Sequence, residues 1–199
     1  MKRLTAVLLA VLLSLSVFSA ALGEVTAYHH PTLGYTLEYD ASWMVMDTET
    51  SAQNALAFAP NGEEVARTIR ETGMVSFVEP VSGGNVSIVA EKRQDDAQEP
   101  LLFAVTMLPV FKKEIESTFP GCQITEELPL VTLSSDRRYY CCIGFVYPQG
   151  DQRTCIQQMC ALDDERVYFI NVTINEATVT DAFVNGLSSI LMSFSLAAE

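Results

Sequence analysis

Basic residues are scarce in this 199-residue chain: 12 Lys and Arg stand against 25 Asp and Glu, for a net charge of −13. There is no basic run and no basic stripe interleaved with aromatics, so the main source of affinity for nucleic acid is missing. Anionic membrane surfaces are disfavoured for the same reason. Histidine is scarcer still, with only His29 and His30. The chain has no Gly-x-Ser-x-Gly elbow, no Cys-x-x-Cys pair and no EF-hand spacing of acids around a central glycine. No Pro/Gly/Ser linker or internal repeat divides it, and nothing in it calls for a cofactor. The acids gather at Glu63-Glu64, Asp95-Asp96, Glu126-Glu127 and Asp163-Asp164-Glu165, mostly between apolar segments, as solvated turns do.

What is present begins with a charged Met1-Lys2-Arg3 start, an apolar stretch from Thr5 to Phe18 and the small residues Ser19-Ala20-Ala21-Leu22-Gly23. This is the three-part layout of a secretory signal peptide. Ala21 and Gly23 fit the small-residue positions of the cleavage site, which places the mature start at Glu24. The expected organisation is a signal peptide over 1–23 and one domain over 24–199, secreted or otherwise extracytoplasmic. The alternative is an uncleaved anchor, because Leu4 to Leu22 approaches the ~20 residues that span a bilayer. Ser14, Ser16 and Ser19 make it a weak one, and no cysteine follows the run directly to accept a lipid. Once the leader is removed no stable membrane anchor is expected, and loss of Lys2 and Arg3 moves the charge balance to −15.

Along the mature chain, Gly34 to Tyr39 alternates as a half-buried strand, and Trp43 to Met46 reads as its hairpin partner after the break at Asp40-Ala41-Ser42. Asn61-Gly62-Glu63-Glu64 reads as a capping box opening a short helix that stops at Gly73. Val75 to Val78 and Val86 to Ala90 are β-branched runs joined through a turn. Leu101, Val105, Leu108, Phe111, Ile115 and Phe119 recur at helical spacing and predict an amphipathic helix over Pro100 to Phe119, interrupted at Pro109 by a kink or a new start. Arg138 to Tyr147, Arg153 to Leu162 and Arg166 to Ile174 predict a meander whose first turn is Pro148-Gln149-Gly150-Asp151. Thr178 to Phe194 predicts a closing helix with Val179, Phe183, Leu187, Ile190 and Phe194 on one face. The order argues for an α+β fold in which helices flank an antiparallel sheet.

Gly34-Tyr35-Thr36-Leu37-Glu38-Tyr39-Asp40-Ala41-Ser42-Trp43 resembles the opening of PsbP-like and DcrB-like domains, in which an aromatic strand leads through a turn to a tryptophan. Asn85-Val86-Ser87-Ile88, the stop at Phe119-Pro120-Gly121, the late hairpin, Val167 to Thr173 and Ile190 to Phe194 follow in a similar order. The resemblance spans nearly all of the mature chain and implies an α/β/α sandwich of the PsbP type, shared with a Ran-binding import factor. It also implies a binding or accessory module, and it transfers no functional residue.

Five residues, Cys122, Cys141, Cys142, Cys155 and Cys160, carry thiols. They serve either as buried apolar side chains or, in an oxidising compartment, as one or more hairpin disulfides. If Gln149-Gly150 is the tight turn, paired positions sum to 299, and a register slipped by two opposes Cys141 to Cys160. That pair is the favoured bridge, with Cys122 left over. Tyr35, Tyr39 and Trp43 are the residues expected to line a ligand groove if one exists, although strand aromatics more commonly pack the core. Three functional readings remain. The first is a non-enzymatic binding or accessory protein whose partner is a protein or a small ligand and not nucleic acid. The second is a hydrolase or thiol-dependent enzyme using His29 or His30 with a carboxylate or cysteine. The third is a carrier of an apolar ligand held between the sheet and the Leu101 to Phe119 helix.

Overall fold

Runs of β-branched and aromatic residues at period two produce the sheets, and apolar positions three and four apart produce the helices that cover them. The computed structural model describes residues 24–93, 99–134, 137–150 and 152–196, and the expected signal peptide lies outside the described residues. In chain order the elements are β1 (Val25–His29), β2 (Tyr35–Asp40), β3 (Met44–Met46), α1 (Thr48–Phe58), α2 (Gly62–Thr72), β4 (Val75–Val78), β5 (Asn85–Lys92) and α3 (Pro100–Thr118). There follow β6 (Gln123–Ser134), β7 (Arg137–Gln149), β8 (Gln152–Leu162), β9 (Arg166–Asn175), a 3₁₀ turn at Glu176–Thr178, α4 (Asp181–Ser193) and β10 (Ser195–Leu196).

The strands form a seven-stranded antiparallel sheet in the order β3-β4-β5-β9-β8-β7-β6 and a three-stranded one in the order β1-β2-β10. The α+β sandwich expected from the sequence is therefore the observed architecture. One face of the large sheet presents Phe77, Val86, Ile88, Tyr168, Ile170 and Val172 to α4 and the small sheet. The other face presents Cys141, Ile143, Phe145, Cys160 and Val167 to α3. α1 and α2 pack on one another through Ala52, Ala66 and Ile69, and Arg70 on α2 donates two hydrogen bonds to Glu49 on α1 at 2.8 and 3.0 Å.

Several local expectations are corrected. β2 and β3 are not a hairpin: β2 pairs with β1 and β10, and β3 pairs with β4 in the other sheet. The break at Asp40-Ala41-Ser42 hands the chain from one sheet to the next, with Asp40 accepting from the Ser42 amide at 2.9 Å. Asn61 makes no side-chain cap, while Gly73 stops α2 in the left-handed region at φ 60° as expected. β1, α1, β6 and β10 have no counterpart among the elements expected from the sequence. α3 runs continuously through Pro109. Its buried stripe is Phe103, Ala104, Leu108, Phe111 and Ile115, whereas Leu101 and Val105 are 50% and 56% exposed. The first turns of this helix are apolar all round, so spacing alone does not say which side faces inward.

Candidate functional site

The residues expected to carry chemistry are mostly structural. His29 is exposed on β1, and His30 is buried. The His30 Nε2–H donates to the Gly73 carbonyl at 3.0 Å, while Nδ1 accepts from the amides of Thr32 at 3.2 Å and Leu33 at 3.1 Å. Both ring nitrogens are thus committed to backbone, which fixes the neutral tautomer and leaves no lone pair for a base. Burial holds the ring's pKa below its ordinary value, partly offset by the Gly73 hydrogen bond. Of the two histidines named for the enzyme reading, His30 is therefore not available as a base, and His29 stands exposed on β1.

Tyr35 and Trp43 do not line a groove. Tyr35 is fully buried among Tyr28, His30, Tyr168 and Phe194, and Trp43 stacks on Phe183 with ring centroids 5.6 Å apart and planes 7° apart. Half-buried Tyr39 packs on Phe77 at 5.2 Å. These aromatics join the small sheet and α4 to the large sheet.

All five cysteines are free thiols, so the bridge expected between Cys141 and Cys160 is not formed. The register of the hairpin is the slipped one, beginning at Gln149↔Gln152, but it shifts again between Ile143 and Tyr140. Cys141 is the extra residue of this bulge, with φ 51°, a conformation uncommon for a side chain with a Cβ. The bulge sets Tyr140 and Cys141 on the same face and puts Tyr140 opposite Cys160. Cys141 donates to the Ala104 carbonyl of α3 at 3.7 Å. Burial pushes the Cys160 thiol pKa well up, and its hydrogen bond with Cys141 raises it further. On the opposite face, burial lifts Cys142 to about 12. Such thiols act as small apolar side chains rather than nucleophiles.

A concave site with an apolar lining lies elsewhere among the described residues, between α3 and the open half of the large sheet. α3 covers β6 and β7 closely but leaves β5 and β9 partly free, and the gap is a cleft of about 550 Å³. Phe103, Met107 and Phe111 form its helical wall, and Val89 of β5 with Val167 and Phe169 of β9 form its apolar floor. Phe111 meets Phe169 edge to face at 5.6 Å. Gln158 of β8 and Asn171 of β9, directly paired across the strands, add two amides to the same floor. Glu91, Lys92 and Glu114 stand exposed at the rim. The Arg93 guanidinium, also on the rim, donates to the Asp163 carbonyl at 3.0 Å and lies 5.9 Å from the Phe103 ring centre. A wider depression of about 670 Å³ at the α1–α2 turn is lined by mostly exposed polar residues such as Asn61, Glu63, Glu64 and Arg67 and offers no apolar wall. Among the described residues no cluster of three or more His, Cys, Asp or Glu could hold a metal ion, and no helix is long and apolar enough to cross a membrane. The strand parity that places Phe169 beside the amides was readable in the sequence; the position of α3 over them was not.

Comparison with known proteins gives the fold a place. No protein-family pattern and no curated protein matches the chain. Among solved structures, cyanobacterial PsbP (CyanoP) from Synechocystis sp. PCC 6803 superposes with a TM-score of 0.55 at 14% identity, covering 90% of this chain and 96% of that one. A protein from Bacteroides thetaiotaomicron aligns at TM-score 0.49 and 8% identity over 90% of this chain and 50% of its own. LpqN, described as involved in cell envelope biogenesis of Mycobacterium tuberculosis, aligns at 0.47 and 12% over 88% and 91%. The near-complete mutual coverage with CyanoP, together with the aromatic strand, the tryptophan turn and the late meander, gives this chain the PsbP-like fold.

Proposed function

We propose that this is an extracytoplasmic binding or accessory protein, and that its binding site is the cleft between α3 and strands β5, β8 and β9. The observation that carries the reading is the cleft's lining. Six apolar side chains line an open cleft whose volume is within the roughly 300–1,000 Å³ of small-molecule sites, and polar groups converge on one part of it. The ordinary alternative is an imperfectly covered sheet, which would leave scattered apolar residues without concavity. The signal-peptide layout of residues 1–23 supports location outside the cytoplasm, and the acidic balance supports a protein or small-molecule partner over nucleic acid. PsbP-like folds host several roles, so the fold supports an accessory function only by analogy.

The test is a fluorescence titration with the neutral aromatic dye N-phenyl-1-naphthylamine, whose emission rises in an apolar site. Saturable binding is expected, and Met107→Arg, which puts a charge on the half-buried helical wall, should abolish it without altering the thermal unfolding of the protein. Equal binding by that variant would remove the cleft from the account.

A further inference from the structure

The polar part of the cleft floor, Asn171 and Gln158, is one end of a row that runs across the sheet and continues beyond the cleft. Register pairs Ser76 with Ser87, Ser87 with Asn171 and Asn171 with Gln158, so two hydroxyls and two amides stand side by side on β4, β5, β9 and β8. The adjoining level, two residues along each strand, is Val89, Phe169 and Cys160, which is apolar throughout. Side chains on one face repeat at period two, so both levels share one face of the sheet, and Asn171, Gln158, Val89 and Phe169 are the members that line the cleft beside α3. Asn171 and Gln158 are half-buried, and neither amide side chain is bonded to another described residue. The charged rim carries both signs, with Glu91 and Glu114 against Lys92, and the Arg93 guanidinium is engaged by Asp163 and Phe103.

We infer, resting on the reading of the cleft as the binding site, that it selects uncharged amphiphiles: an apolar body lies against Phe103, Met107, Phe111 and Phe169, and a carboxamide or hydroxyl head bonds Asn171 and Gln158. Paired amides offer donors and acceptors together, which match a neutral head that both gives and takes hydrogen bonds. A carboxylate brought to the same floor would lose its hydration without meeting a committed cation, and an ammonium would meet no committed anion. A neutral head loses less on leaving water, and it satisfies two amides that an alkyl chain alone would cover without pairing.

Displacement of bound N-phenyl-1-naphthylamine by decanamide, decanol, decanoate and decylammonium tests this at one chain length. Decanamide and decanol should displace the dye at concentrations about tenfold or more below those of the two ions, a difference of about 1.4 kcal/mol. Asn171→Asp, nearly isosteric, should weaken decanamide by about tenfold while the dye still binds. Gln158→Leu combined with Asn171→Leu should erase the preference for neutral heads. Dye binding with decanoate or decylammonium equal to or better than decanamide would overturn the head-group inference and leave the cleft standing. Failure of the dye to bind wild-type protein would overturn the cleft reading itself, and this inference with it.

Discussion

The indole of Trp43 occupies the space that a side chain on Gly186 would need: a Cβ there would stand 2.6 Å from its Cε2 and 2.9 Å from its Nε1. Gly186 is in α4, and its missing side chain lets the helix close onto the ring that Phe183 stacks from the same helix. Gly186→Ala should gain about 1 kcal/mol of helix propensity. The clash is with a rigid ring buried in the core, so overpacking should outweigh that gain and leave a net loss of about 1–3 kcal/mol. Chemical denaturation followed by Trp43 fluorescence reads the loss. Wild-type stability in the variant would mean that the indole does not lie against this helix.

His30 makes stability depend on pH in a stated direction. Its folded pKa lies below the ordinary value because the ring is buried, and the two amides pointing at Nδ1 oppose a second proton. No carboxylate or other cation is among its hydrogen-bond partners; the rings packed on it are Tyr28 and Tyr35. Between the folded value and the unfolded one, near 6.5, the unfolded chain binds more protons. The contribution is therefore fully present above that pH and is lost as pH falls through the folded pKa. His30→Phe should lower stability by about 1–3 kcal/mol at neutral pH, since it leaves the buried Gly73 carbonyl and the part-buried amides of Thr32 and Leu33 without this partner, and should flatten the slope below about pH 6.5. An unchanged slope in equilibrium unfolding across that range would contradict this role.

Glu79 behaves as a buried structural carboxylate at the β4–β5 turn. Burial alone would raise its pKa, yet hydrogen bonds from Ser82, Val81 and Thr180 outweigh it and hold the group below its ordinary value. Its stabilising effect is present above the unfolded pKa and is lost as pH falls through the folded one. Glu79→Gln should remove that acid-side loss while lowering stability at neutral pH, read by thermal unfolding at pH 7 and in mild acid. A variant as stable as wild type at pH 7 would show that the charge is dispensable.

The thiols offer a fourth check. Cys122 and Cys155 are half-buried, while Cys141, Cys142 and Cys160 are fully covered. A maleimide should label the first two in the native protein and the other three only after unfolding, with mass spectrometry locating each adduct. A native protein two hydrogens lighter, with Cys141 and Cys160 blocked after unfolding, would show that they are bridged.

Most strands of the large sheet, the last helix and the long helix are legible because each has a repeated period, as in Val167 to Thr173 or Phe183, Leu187 and Ile190, whereas the small sheet of β1, β2 and β10 is not. The bulge at Cys141 was not, since one extra residue leaves no trace in an alternation that is apolar on both faces. β6 was hidden because its run, Glu126-Glu127-Leu128-Pro129-Leu130, carries paired acids and a proline at the sheet edge, where strands tolerate both. The cleft was legible only as a location under the predicted helix. Its lining depends on where α3 stops covering the sheet, a tertiary fact that sets Gln158 and Asn171, far apart in sequence, on one floor.

The site is tested most directly by the methionine-methyl NMR spectrum of the protein titrated with N-phenyl-1-naphthylamine. Met107 lines the cleft, Met159 lies in the core on the other face of the sheet, and Met44 and Met192 are exposed away from it. The Met107 signal should shift with the dye concentration while those of Met44 and Met192 stay in place; an unmoved Met107 with saturable shifts at Met44 or Met192 would place the binding surface elsewhere and contradict the cleft as the site.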